Sequence, residues 1–136
     1  MQKLLLDVNI ILDVAFDREP HTEASKKVLG LVEAKRAAGY LSAVSYPILH
    51  YFLKKDLGRH EAMNFLSEFL RLFRTAAVDE AVIADAMMRE DGDFEDNIQI
   101  VCAEKIKADY IVTRNTVHFK KSEIQALTPA EYLVLA

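Results

Sequence analysis

Residues 4–9 read Leu4-Leu5-Leu6-Asp7-Val8-Asn9. The apolar run opening this stretch reads as a buried β-strand, over about residues 3–8, and Asp7 falls where such a strand should stop. Open α/β sheets place their ligand sites at the carboxyl ends of their strands, so the position of this acid is informative. A second acidic group, Asp93 with Asp96, stands far along the chain, just ahead of an apolar-periodic helix and another strand. An oxygen-ligated metal site needs acids from separate elements to converge in this way.

Working outward from Asp7, strand and helix patterns alternate. Residues 9–16 read as a short helix with Ile10, Val14 and Ile11 inward, broken at Asp17-Arg18-Glu19-Pro20. A longer helix is predicted over 22–38, with Ala24, Val28, Leu31, Val32 and Lys35 near one face. Gly39 would make its left-handed exit. Residues 40–44 lean to β structure, and Ser45 would cap the next helix with Pro47 in its first turn. Gly58 separates that helix from another over 59–70. Residues 72–76 form a third strand, which Arg71 and Arg74 mark as an edge.

Asp79 starts a helix to about residue 89, and Glu90-Asp91-Gly92-Asp93 is a loop signal. Residues 94–107 read as helix, 110–113 as a fourth strand, 114–122 as an irregular loop, and 124–127 as a fifth, edge strand. Thr128-Pro129-Ala130-Glu131 has the spacing of a capping box with proline at the first helical position, opening a helix over 128–134. This alternation predicts right-handed crossovers around a mostly parallel sheet covered by helices on both faces. With the first and fourth strands as neighbours, Asp7, the loop after Thr113 and the start of the helix containing Asp96 share one rim.

The 136 residues suit one domain over 1–136. A hydrophobic content of 51% with 28% charged residues is that of a globular chain and excludes disorder. The formal charge of -4 argues against a strongly basic nucleic-acid binder but not against an enzyme acting on RNA, whose bound divalent cations offset acidic side chains. The single Cys102 lies on an apolar helix face and reads as a packed core thiol, compatible with a reducing cytoplasm. The apolar run before Asp7 is shorter than a signal-peptide core, and no stretch reaches the ~20 residues of a membrane span.

Several segments together resemble the PIN domain family. Leu4-Leu5-Leu6-Asp7-Val8-Asn9-Ile10-Ile11-Leu12-Asp13 looks like its opening motif, and Asp93-Phe94-Glu95-Asp96-Asn97 through Ala103 like its central acidic motif. Asp109-Tyr110-Ile111-Val112-Thr113-Arg114-Asn115 with His118-Phe119 looks like the last motif, and Thr128 to Leu133 like a common ending. The resemblance implies a three-layer α/β/α domain. It also implies a metal-dependent endoribonuclease acting on single-stranded RNA, as in VapC-type toxins of toxin–antitoxin pairs.

By that resemblance Asp7 and Asp96 would hold Mg²⁺ or Mn²⁺. Asp93 and Asn115 join them as catalytic candidates, and Asn9, Thr113, Arg114 and His118 support the site or touch substrate. The implied partners are RNA, an antitoxin protein and a second copy of the chain, with no membrane. The helix pair over 45–70 is the expected dimer segment, because its aromatic and leucine side chains exceed what one sheet face can bury.

The sequence departs from the family at two places. Ile48 stands where members usually carry a glutamate, and His118 where an acid often precedes the phenylalanine of the last motif. Asp93 and Glu95 would compensate, and His118 would ligate a metal or contact phosphate. The alternative is a catalytically inactive PIN-like module binding RNA or protein, since fold alone does not fix function. A haloacid-dehalogenase-type phosphatase is disfavoured because Asn9 replaces its second aspartate, and a Rossmann nucleotide site because the first turn has no glycine.

Overall fold

The computed structural model describes residues 1–136. Five strands form one sheet: β1 (Gln2–Leu6), β2 (Ala37–Ser42), β3 (Arg74–Ala76), β4 (Tyr110–Val112) and β5 (Ala126–Leu127). Their spatial order is β3-β2-β1-β4-β5, and every pair is parallel. Both expected edge strands, β3 and β5, are edges, and β1 and β4 are neighbours. Six α-helices connect and flank the strands: α1 (Val8–Ala15), α2 (Thr22–Glu33), α3 (Ser45–Leu72), α4 (Glu80–Met88), α5 (Phe94–Lys105) and α6 (Pro129–Leu135). A 3-10 turn, Thr116–Phe119, follows β4.

The run of three leucines is buried throughout because β1 is the central strand with helices on both faces. Side chains alternate across a strand, so Leu4 and Leu6 enter one core with α1, α2, α3 and α6 residues such as Ile10, Val28, Leu49 and Tyr132. Leu5 enters the other core with Val82, Val101 and Cys102 from α4 and α5. The result is the expected three-layer α/β/α arrangement. Cys102 is buried there, and desolvation pushes its thiol up to about 11, the behaviour of a packed thiol. No helix is long and apolar enough to cross a membrane.

Three sequence expectations shift. The helix expected to reach residue 38 ends at Glu33, and its left-handed exit is made by Lys35 (φ 60°) instead of Gly39. Gly39 lies inside β2 because space there is scarce: a Cβ would stand 2.8 Å from Phe73 Cδ1 and 3.0 Å from both Val32 methyls. Gly39→Ala should therefore destabilise the protein by about 1–3 kcal/mol. Denaturant unfolding with an unchanged midpoint would refute that packing.

Ser45 does not cap α3; Val44 precedes the helix without a side-chain cap, and Ser45 is its buried first residue. At Gly58 (φ 82°, ψ 167°) α3 turns between two arms, a conformation that favours glycine. Leu49, Leu53 and Phe69 on these arms are buried, while Tyr51, Phe52, Leu57, Met63 and Leu70 remain exposed. The capping box of α6 is complete. Thr128 Oγ1 accepts from the Glu131 N–H at 3.1 Å, and Glu131 Oε1 accepts from the Thr128 N–H at 2.9 Å.

Candidate active site

Asp7 is held by the elements that meet at the carboxyl end of the sheet. It caps α1, its Oδ1 facing the Asn9 N–H at 3.4 Å. Its backbone N–H continues the strand ladder to Val112 O at 3.0 Å, placing β4 alongside. Thr113, fully buried just beyond β4, donates its hydroxyl to Asp7 Oδ2 at 2.7 Å. The same Oγ1 accepts from the Asn115 N–H at 3.1 Å. Asn9 and Thr113 thus orient the Asp7 carboxylate from both sides. Asn115 shapes the loop through its backbone, and its side chain is exposed.

The second acidic group comes from the start of α5. Asp93 caps that helix, its Oδ1 accepting from the Asp96 N–H at 3.1 Å. Glu95 and Asp96 occupy the first turn, where the helix dipole favours anions. Burial raises the pKa of Asp96 above its ordinary value, the Asp93 and Asp7 charges add to the rise, and His118 opposes it. Burial also raises Glu95, reinforced by Asp93, Asp96 and Asp7. Asp7 therefore acts electrostatically on both α5 acids, so the strand end and the helix start face one region. His118 lies beside it, Nδ1 3.5 Å from Asp96 Oδ2.

Acids that repel one another in partial burial favour a cation. No three His, Cys, Asp or Glu side chains are gathered into a ready-made cage. Mg²⁺ does not require one: it keeps several waters and is commonly held by one or two carboxylates plus substrate phosphate. Asp7 and Asp96 fit that donor set. An open cleft of roughly 650 Å³ extends from Asp93 and Asp96 past His118 to Arg89, Lys120 and Lys121. Lys121 is paired with Asp91 and Arg89 with Glu104. Lys54, Lys55 and Arg59 do not line this cleft.

Ile48, at the position where an acid was expected by resemblance, is half-buried and packs against the α1–α2–α3 core. Ile48→Glu should cost about 1–3 kcal/mol and leave cleavage no higher. A thermal melt beside a cleavage assay checks this, and a raised cleavage rate at unchanged melting temperature would contradict it. The neighbouring polar residues are neutral. Ser42 Oγ and Ser45 Oγ lie 3.1 Å apart, and the buried Gln99 donates to Ser42 Oγ at 2.9 Å.

Sequence reasoning assigned Asp13 no role. Its side chain is fully buried, and Arg114 Nε lies 2.8 Å from its Oδ2. The signal was present: Asp13 stands three residues after the inward-facing Ile10, an acid on the apolar side of a short helix.

The PIN domain family model matches residues 3–117. Among solved structures, the fold is similar to that of a toxin–antitoxin complex from Klebsiella pneumoniae. That match has TM-score 0.71 and 21% identity, covering 93% of this chain and 97% of that one. VapBC2 from Rickettsia felis, bound to a DNA fragment from its promoter, matches with TM-score 0.69 and 18% identity over 93% and 98%. Mycobacterium tuberculosis VapC20, a sarcin-ricin loop cleaving toxin, matches with TM-score 0.62 and 14% identity over 79% and 86%. No curated protein matches the sequence.

Proposed function

The chain belongs to the PIN domain family, and from that premise we propose that it is a divalent-metal-dependent endoribonuclease acting on single-stranded RNA. What supports this reading is Asp7, at the end of β1 with its carboxylate held by the Thr113 hydroxyl at 2.7 Å, together with the acidic group Asp93, Glu95 and Asp96 at the start of α5. Burial and mutual repulsion raise the Asp96 and Glu95 carboxyls together.

Asp7 and Asp96 would hold Mg²⁺ or Mn²⁺. When bound, the ion supplies a water of lowered pKa and neutralises charge growing on the phosphate. Thr113 and Asn9 keep the Asp7 carboxylate aimed, Asp93 adds negative charge at the same rim, and Asn115 fixes the loop that carries Thr113. His118 stands beside Asp96, placed to meet a phosphate oxygen or to exchange a proton with water in the cleft.

The test is incubation of the purified protein with single-stranded RNA in Mg²⁺, Mn²⁺ or EDTA. Cleavage with either metal and none in EDTA supports the reading. RNA binding without cleavage in any metal would instead favour an inactive RNA-binding PIN module. That second reading draws support from the neutral Ile48.

The same reading extends to assembly. Structures of similar fold include a toxin–antitoxin complex and assemblies bound to DNA, and we propose an antitoxin partner for this chain in the cytoplasm. We also propose a homodimer through α3, where Tyr51, Phe52, Leu57 and Leu70 are exposed. Light scattering at micromolar concentration that returns the mass of one chain would remove the dimer.

A further inference from the structure

We infer that Asp13 is a positioning residue that anchors Arg114, so that the outer edge of the guanidinium forms a phosphate subsite beside Asp7. This rests on the ribonuclease reading above.

A carboxylate with no solvent exposure is costly unless it is compensated. Asp13 is surrounded by compensation: Arg114 Nε lies 2.8 Å from Oδ2 and Arg18 Nη1 3.9 Å from Oδ1. Burial still raises its pKa above the ordinary value, while His21 adds attraction and Asp7 repels it from the other side. The Arg114 Nε–H is not aligned for a hydrogen bond, so the contact is an ion pair held by proximity. Two arginines face one buried acid, leaving surplus positive charge next to the acidic rim.

The arrangement splits the guanidinium into two edges. Nε is buried toward Asp13, while the terminal nitrogens form no hydrogen bond within the protein and are not among the buried atoms. Arg114 directly follows Thr113, whose hydroxyl is bonded to Asp7 Oδ2. The loop is therefore pinned at two adjacent residues, one on Asp7 and one on Asp13, both attached to α1. A planar guanidinium whose Nε edge is buried against a carboxylate turns its remaining donors away from it, an arrangement that suits a phosphate. Lysine offers no second edge.

The test uses the full-length protein and a fluorescein-labelled single-stranded oligoribonucleotide. Binding is read by anisotropy in EDTA at several salt concentrations, and cleavage is read in Mn²⁺. Arg114→Gln should weaken binding about tenfold and lower the slope of log affinity against log salt by about 0.7, the value of one lost single-strand phosphate contact. KM should rise more than kcat falls. Asp13→Asn should reproduce these changes, and the double variant should be no worse than either single one, because coupled residues are not additive.

Arg114→Lys should fail to rescue; full rescue would show that charge alone matters and would overturn the anchoring role even if Asp13→Asn does not fold. If the wild-type protein cleaves RNA and binding, salt slope and KM are unchanged in Arg114→Gln, the subsite is overturned and the ribonuclease reading stands. A wild-type protein that neither binds nor cleaves RNA removes that reading, and the subsite with it.

Discussion

Asp7→Asn and Asp96→Asn should each lower metal-dependent RNA cleavage by at least about a hundredfold, since a metal contributes several kcal/mol of charge stabilisation and 1.36 kcal/mol is tenfold in rate. The substitutions isolate charge from architecture. Asparagine is as good a helix cap as aspartate, so the start of α1 survives Asp7→Asn. The Thr113 hydroxyl, 2.7 Å from Asp7 Oδ2, can still donate to an amide oxygen there. Asp96 is not the cap of α5, a role held by Asp93. Rates are to be compared at equal folded fraction, verified by circular dichroism. Cleavage at wild-type rates in both variants would show that these carboxylates do not serve the reaction.

Saturating Mn²⁺ should stabilise the protein at neutral pH and much less in acid. The direction follows from the carboxyl groups of Asp96 and Glu95, whose folded pKa values are raised, first by burial and then by neighbouring acids. A raised acid holds its proton to higher pH in the folded state than in the unfolded state. Between the unfolded value, 3.8 for Asp96 and 4.5 for Glu95, and the folded one, stability contributed by these groups falls as pH rises. Above that window the penalty is complete; below it the penalty is absent.

The cation binds the ionised forms, so its stabilisation grows through the same window. At a hundred times its Kd it contributes about 2.7 kcal/mol, which for a chain of this size is a rise of about 10 °C in melting temperature. Asp96→Asn should raise the melting temperature of the metal-free protein slightly and remove most of the Mn²⁺ gain. Calorimetry at pH 7 and pH 4.5, with and without Mn²⁺, checks both. Equal gains at the two pH values would count against carboxylate ligation.

Much of this architecture follows from local sequence. A three-leucine run ending at an acid reads as a strand covered on both faces, the Thr128–Glu131 spacing satisfies helix N–H groups through its own side chains, and alternating strands and helices point to crossovers around a parallel sheet. The acids at residues 7, 93 and 96 were visible because strand ends and helix starts are where acids satisfy free backbone donors. Gly39 and Ser45 were misread for the converse reason. Glycine at a helix exit and glycine under a neighbouring phenylalanine look alike in sequence, as do a capping serine and a buried one. Their roles depend on Phe73 and Gln99, 34 and 54 residues away. Asp13 shows the same division: its place on the apolar side of α1 was written in the sequence. Only packing of the β4 loop against α1 brought Arg114 to it, because the partner of a buried charge is set by which distant element closes over it.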